Sequence, residues 1–377
     1  MKRVLILGAG EMQLPVIKKA KQMGVYTLVA DFDPNAPGFI FADEKAIVST
    51  IDIDSILELS KEKKIDGILT TSDYPVNTVA KVCRELGLKG MSVEVAKLCT
   101  DKFLQRDFFK AHGIKTPHFY LIKELFELNS ITHFPSIIKP VDSSASRGVK
   151  KVNNEDELRG QYDVARKFSK KGMVIVEDYI SGREFSVETY TQAGSTTVVA
   201  ITEKLTIGEE KGFFVENTHI VPARITTEEH SLIVNEVLKA VDVMKLDNCP
   251  THTEVKLNES GVYIIEIACR LGGDYITSDL VPLSSGVDML ENLINLSLGM
   301  TINVKPKWNK VSAVQFLNGG NYQNCINFID TKNKNIFRSE VKDFHENEMT
   351  SSMDRMGCIL LQTDKAEEMT RILNELN

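Results

Sequence analysis

The sequence predicts an α/β and α+β chain: a parallel-sheet unit over residues 1–98, a larger mixed region over 99–300 and a small α+β cap over 301–377. Three observations carry this expectation. Residues 1–98 alternate short apolar runs with helix-periodic segments, the pattern of strands joined by right-handed crossovers. From Phe134 to Glu188 the reading is mainly of strands, broken by one charged helix. The length of 377 residues exceeds what one core usually serves and, at roughly 100–200 residues per domain, implies two or three domains.

Val4–Leu7 is a continuous apolar run, as a strand buried on both faces would be, and Gly8-Ala9-Gly10 turns it toward a helix over Pro15–Met23. Tyr26–Ala30 is the next strand and ends at Asp31. Ile47-Val48, a helix over Ile53–Lys63, a strand over Gly67–Thr70 and a helix over Val76–Leu86 complete the first unit. Thr100-Asp101-Lys102 supplies an N-cap for a helix that reaches His112 and stops at Gly113. Glu155–Lys170 is the charged helix and Thr227–Val243 an amphipathic one. Thr251–Leu257 and Val262–Ala268 are strands joined by the turn residues Asn258-Glu259-Ser260-Gly261. Val287–Leu298 is a helix closed by Gly299. Val311–Leu317, Cys358–Gln362 and the helix Ala366–Leu376 make the cap.

The charge balance, 45 Lys+Arg against 52 Asp+Glu for a net -7, argues against bulk binding to nucleic acid or to an anionic membrane. No apolar run reaches the roughly 18–20 residues a membrane span needs. Met1-Lys2-Arg3 followed by VLILGAG mimics a signal peptide, but the apolar stretch is short and runs into Glu11, so it reads as the first strand. The six cysteines (Cys83, Cys99, Cys249, Cys269, Cys325, Cys358) show no CxxC pair and no regular spacing. That places the chain in a reducing compartment, the cytoplasm.

Four constellations could carry chemistry. Gly8-x-Gly10 after a strand, with Asp31 ending the next one, begins a dinucleotide fingerprint, although Gln13 stands where the third glycine belongs. Lys139 ends an apolar strand and is followed by the small-residue run Ser143-Ser144-Ala145-Ser146-Arg147-Gly148, a composition that lets backbone N–H groups approach an anion; a surface hairpin is the plainer reading. Strand alternation places His252, Glu254 and Lys256 on one face, and Ile264, Glu266, Ala268 and Arg270 on one face of the partner strand. Setting Glu254 opposite Glu266 needs a bulge, and two like charges there call for a cation between them. Magnesium answers that need, and so would Lys256 and Arg270. Last, Val174–Val176 runs into Glu177-Asp178-Tyr179-Ile180-Ser181-Gly182-Arg183-Glu184, a strand end whose backbone can read the edge of a heterocycle, or a simple connection.

In this order the motifs resemble the ATP-grasp superfamily, in particular the carboxylate–amine ligases related to biotin carboxylase and the carbamoyl phosphate synthase large subunit. The resemblance covers nearly the whole chain: Gly8-Ala9-Gly10 through Asp31-Phe32-Asp33-Pro34, Asp101-Lys102 through Gly113-Ile114-Lys115-Thr116-Pro117, and Glu254 through Glu266-Ile267-Ala268-Cys269-Arg270-Leu271-Gly272-Gly273-Asp274. It implies a Rossmann-like pre-ATP-grasp domain, then an ATP-grasp fold with a mobile lid over about residues 117–180, then the small C-terminal domain. It implies an ADP-forming ligase with ATP and magnesium, or manganese in its place, acting on small carboxylates and amines, with no nucleic acid or membrane partner and with homodimers frequent among relatives.

The resemblance also carries roles across. Lys102 and Lys139 would contact phosphates, with the Ser143, Ser144, Ser146 and Gly148 loop closing over them. Glu177 and Ile180 would offer backbone groups to the adenine edge, Glu184 would take the ribose hydroxyls, and His219 would lie near the triphosphate. Glu254 and Glu266 would hold the metal, Arg270 would stabilise the transferring phosphoryl group, and Gly272, Gly273 and Asp274 would face the acyl substrate. Two departures stand out: Ala268 where many relatives carry Asn, and a glycine-poor phosphate loop. The alternatives are a nicotinamide-dependent oxidoreductase using Gly8, Gly10 and Asp31, and a non-catalytic ATP-binding protein on the same scaffold.

Overall fold

The computed structural model describes residues 1–143, 146–345 and 349–377. Strands β1 (Arg3–Leu7), β2 (Tyr26–Asp31), β3 (Glu44–Ile47) and β4 (Gly67–Leu69) form a parallel sheet in the order β3-β2-β1-β4. Helices α1 (Leu14–Gln22), α2 (Ile53–Lys63) and α3 (Val76–Leu86) flank it, and α4 (Val93–Leu98) and α5 (Lys102–Ala111) lead away. The continuous apolar run of β1 is explained by its two covered faces. Leu5 and Leu7 belong to one core with Val79, Phe109 and Val237, whereas Val4 and Ile6 belong to another with Ile17, Leu280 and Ile294. The start of α5 is fixed as expected, with the Asp101 carboxylate accepting the Leu104 N–H at 2.9 Å, a cap of about 1 kcal/mol.

A second sheet contains β5 (Phe119–Ile122), β6 (Ser136–Pro140), β7 (Lys150–Val152) and β8 (Val174–Asp178), antiparallel in the order β5-β8-β6-β7. Helix α6 (Glu155–Lys167) covers it, and Ile138, Leu158, Tyr162 and Val176 give it a core of its own.

The third sheet is the scaffold of the site. It is built from β9 (Arg183–Gln192), β10 (Ser195–Ile207), β11 (Val215–Val221), β12 (Cys249–Asn258), β13 (Gly261–Ala268), β14 (Val311–Phe316), β15 (Ile336–Val341) and β16 (Gly357–Thr363). The order is β13-β12-β9-β10-β11-β14-β16-β15, antiparallel throughout. Helices α7 (Thr227–Val243), α8 (Val281–Ser285), α9 (Met289–Ser297), α10 (Tyr322–Asp330) and α11 (Ala366–Leu376) pack around it.

The described strands of residues 301–377, read from the sequence as a small separate cap, all join the third sheet. β14 pairs with β11 from Thr218↔Gln315 to Val221↔Ser312, which closes an edge that β11 would otherwise leave open. Among the described residues, no helix is long and apolar enough to cross a membrane.

Candidate active site

A cavity of about 420 Å³ lies between the third sheet, the second sheet and the carboxyl end of the first. Its floor is one face of the central strands: Glu184, Lys204, Glu216, His219, His252, Glu254, Lys256 and Glu266 all line it. The register sets Glu254 directly opposite Glu266, and the bulge that this requires lies at Ile265. The bulge also corrects one expectation. Ile264 pairs with Val255 and points into the core, so it does not share the face of Glu266 and Arg270; Ile265 lines the cavity instead.

The cations beside the two carboxylates are lysines that strand alternation alone did not indicate. Lys102 Nζ lies 2.6 Å from Glu266 Oε2. Lys204 Nζ lies 2.8 Å from Glu254 Oε1, 2.7 Å from Glu216 Oε1 and 3.3 Å from Glu184 Oε1, with its side chain 2% exposed. Burial opposes its charge, but the three carboxylates outweigh burial and hold the ammonium well above the usual lysine range. Lys256 instead reaches Glu184 at 3.8 Å, and Arg270 grips Asp73 of the first domain with Nε at 2.6 Å and Nη2 at 3.1 Å. Asp73 and Ser72 thus bring the β4 end into the site, which nothing in the sequence marked.

His252 sits between Glu188, 2.6 Å from Nδ1, and Glu254, 3.7 Å from Nε2. Burial lowers its pKa, but Glu188 and Glu254 more than reverse this and raise it to about 9, so the ring is an imidazolium at neutral pH. Across the ladder from His252 stands Ala268, buried and small. His219 is the opposite case. It is fully buried, and among the described residues neither ring nitrogen has a hydrogen-bond partner. Burial drives its pKa down to about 3, which leaves a neutral imidazole.

The roof carries Lys139, Glu177, Tyr179 and Ile180. Lys139 Nζ and Arg106 Nε each lie 2.6 Å from Glu177, one on each carboxylate oxygen, in a triad whose side chains are 1–7% exposed. Burial raises the Glu177 carboxyl, but the Arg106 guanidinium and Lys139 ammonium overcome it and hold the group below the usual carboxylate range. The Glu177 side chain is therefore an ion-pair partner, a role the expectation of backbone contacts to adenine did not include. Ile180 lines the cavity beyond the strand end at Asp178.

Most of the remaining expected residues converge as well: Ser143, Ser146, Gly273 and Asp274 line the cavity. Ser144 lies outside the described residues. Gly148 and Gly272 do not line it. Gly148, at φ 73°, packs against the second-sheet layer, where a Cβ would come 2.9 Å from Phe168. Gly272 lies under the floor: its N–H donates to Glu188 Oε2 at 3.2 Å, and a Cβ would approach His252 Nδ1 to 2.7 Å. At the far end, Arg355 Nη1 lies 2.8 Å from Asp274 Oδ2 and Nη2 lies 3.1 Å from Glu216 Oε2, with the guanidinium stacked 3.6 Å over Phe316.

The first domain's glycine turn holds no comparable site. Both Asp31 oxygens accept backbone N–H groups, from Ala9 at 2.7 Å and Asp33 at 3.0 Å, and the Gln13 side chain lies over Gly8 where a Cβ would meet it at 3.2 Å. Both oxygens of the acid that would take a ribose hydroxyl are thus occupied by backbone, and the oxidoreductase reading has no support.

Comparison with known proteins agrees with this arrangement. The ATP-grasp domain family matches residues 132–279, and the PylC-like N-terminal domain family matches residues 4–93. Over 314 residues the chain is 24% identical to an uncharacterized protein of Sinorhizobium fredii, covering 80% of this chain and 64% of that protein. Over 273 residues it is 27% identical to alanine–anticapsin ligase of Bacillus subtilis, covering 65% and 56%. The chain thus spans less than two thirds of the length of these curated relatives. Among solved structures, L-amino acid ligase from Bacillus licheniformis superposes with a TM-score of 0.82 at 22% identity, covering 100% of this chain and 97% of the other. Phosphoribosylglycinamide synthetase from Anaerococcus prevotii does so with a TM-score of 0.75 at 23% identity, again covering 100% and 97%. With its cavity walled by the two sheets and its floor carrying Glu254 and Glu266, the chain carries an ATP-grasp domain over residues 132–279, preceded by a PylC-like N-terminal domain over residues 4–93.

Proposed function

We propose that this protein is an ADP-forming ligase that phosphorylates a small carboxylate with Mg-ATP and transfers the acyl group to an amine. The observation that carries this reading is the opposition of Glu254 and Glu266 beneath one cavity that also holds Lys102, Lys139 and Arg270. The likeness to alanine–anticapsin ligase and to L-amino acid ligase supports ligation as the reaction class.

The donor set fits a hard divalent cation: two carboxylates face each other, partly open to the cavity, with lysine ammoniums now resting on them. Glu254 and Glu266 would hold magnesium or manganese, which when bound neutralises triphosphate charge and polarises the transferring phosphoryl group. Lys102 and Lys139 add fixed positive charge along the phosphates, and Ser143 and Ser146 lie on the same wall. Glu184 would take the ribose hydroxyls and Ile180 the adenine edge, both residues lining the cavity. Arg270, already held in a two-pronged grip by Asp73, would exchange that partner for the phosphoryl oxygens. The substrate carboxylate oxygen attacks the γ-phosphorus and ADP leaves. The amine nitrogen then attacks the acyl carbon and phosphate leaves. The second sheet, folded over the cavity, keeps water from the acyl phosphate meanwhile.

The six cysteines are all free and buried, which suits a reducing cytoplasm, and a homodimer is the assembly we expect. Thermal shift tests the nucleotide assignment. A ligand at about 100 times its Kd adds about 2.7 kcal/mol, or about 3 °C in Tm for a protein of this size. Mg-ATP should give that rise and NADH none; the reverse overturns the reading. A phosphate-release screen over carboxylate–amine pairs then finds the substrates.

A further inference from the structure

We propose that Asp274, held from behind by Arg355 and flanked by Glu216, receives the ammonium group of the amine substrate and accepts the proton that nitrogen must lose before it attacks. This rests on the ligase reading above and names the part of the site that serves the second substrate.

Asp274 lines the cavity four positions beyond Arg270. Arg355 is 8% exposed and approaches from the C-terminal segment: it binds Asp274 Oδ2 at 2.8 Å, Glu216 Oε2 at 3.1 Å and the Glu216 carbonyl at 3.0 Å. Its guanidinium is buried behind the two acids, so it orients them without covering the side they turn to the cavity; it is a positioning residue. Asp274 and Tyr275 also hold the left-handed backbone region, at φ 49° and 66°. Such a conformation costs a non-glycine residue about 1–2 kcal/mol and persists only where its surroundings enforce it.

A second observation points to a ligand. Donor atoms of Glu216, His219 and Asp274 lie within 4.8 Å of one another. Yet His219, fully buried, presents an N–H and a lone pair that no described group satisfies. A divalent metal suits this corner poorly, because the buried Arg355 guanidinium, which keeps its charge, already holds both carboxylates from behind. A single added positive charge suits it better. Lys204 and Arg355 serve four carboxylates between them, Glu184, Glu216, Glu254 and Asp274; Lys256 at 3.8 Å adds cover to Glu184 and the His252 ring at 3.7 Å adds cover to Glu254, which leaves Glu216 and Asp274 to share what Lys204 and Arg355 supply. An ammonium group donates to carboxylates and to the imidazole lone pair, and once deprotonated it can accept the imidazole N–H.

The groups facing Asp274 are Glu216 and His219 from β11 and Arg355 from the C-terminal segment, with Lys204 one step behind Glu216. Burial and then Glu216 push the Asp274 carboxyl up to about 6, partly offset by Arg355. It is thus ionised near neutrality but able to hold a proton. The step balances: R–NH3+ and the Asp274 carboxylate give R–NH2 and the carboxylic acid. The amine nitrogen then bonds to the acyl carbon as the carbon–oxygen bond to phosphate breaks, and the second nitrogen proton leaves with phosphate.

The test compares two nucleophiles for the same acyl phosphate. Hydroxylamine is largely unprotonated at pH 7 and needs no base. Wild type, Asp274→Asn and Asp274→Glu are incubated with Mg-ATP, the twenty L-amino acids and hydroxylamine, and hydroxamate and peptide are both quantified. Asn tolerates the left-handed backbone and keeps the shape, so the Asn variant should fold. Its peptide-to-hydroxamate ratio should fall at least thirtyfold at pH 7 and recover about tenfold per pH unit as free amine accumulates in solution. The Glu variant should regain part of the ratio. An equal loss of both products in the Asn variant, or an unchanged ratio, overturns the proposal while leaving the ligase intact. A wild-type protein that forms neither product overturns the ligase reading itself.

Discussion

Lys204 Nζ stands 2.8 Å from Glu254 Oε1, in a position where carboxylates from β9, β11 and β12 converge on one buried ammonium. The floor of the cavity therefore carries its own counter-ion. Taking these charges out of water is expensive unless they stay paired, so the cluster is stable only as a whole.

Lys204→Met should lower stability by about 3–5 kcal/mol, because it leaves three inward carboxylates without their shared cation. The sign with pH follows from the raised lysine pKa. Its contribution is fully present below the unfolded value near 10.4 and is lost only as pH rises through the still higher folded value. The deficit of the variant should therefore be full at pH 7–8 and shrink in acid, where the carboxylates take protons. Urea titrations at pH 8 and pH 5 check this; equal deficits at both would contradict it.

Glu266→Gln should lower ADP formation at least about a hundredfold while Tm moves little, since an amide still accepts from Lys102 but carries no charge for a metal. A coupled ADP assay with a parallel melt decides it. Normal turnover would remove the metal assignment.

Glu177→Gln should destabilise by about 3–5 kcal/mol, leaving Arg106 and Lys139 buried together without a counter-charge. The folded carboxyl lies below its unfolded value, so its stabilisation is present above about pH 4.3 and fades as pH falls through the folded value. Wild type and variant should thus converge in stability below that range. Melts from pH 7 down to pH 3 measure the convergence.

The opposition of Glu254 and Glu266 and the bulge it needs were legible because alternation and like-charge repulsion leave few registers for them, although the bulge moves Ile264 off the face expected for it. The parallel opening was legible for a similar reason, since β1 is apolar on both faces. Lys204 was not. It lies in β10, a stretch never singled out as a strand, and its partners come from β9, β11 and β12, so only the folded sheet brings them together. Arg355 and Asp73 escaped for the same reason, each reaching the site from a distant segment. The packing of Gly148 against Phe168 was not legible, because small residues after Lys139 fit a phosphate loop and a packing contact equally well.

His219→Leu should raise the stability of the ligand-free protein by about 1 kcal/mol, because it removes two buried nitrogens that no described group satisfies. It should at the same time reduce turnover at least about tenfold if the ring serves bound substrates. A variant that is less stable and fully active would show the imidazole to be a packing residue only.

The central claim is the reaction class, and product stoichiometry tests it most directly. With Mg-ATP and the carboxylate–amine pair that releases most phosphate, ADP, inorganic phosphate and the amide should appear in equal amounts, and omitting either organic substrate should abolish the amide. AMP with pyrophosphate, or ADP and phosphate with no amide from any pair, would contradict the account.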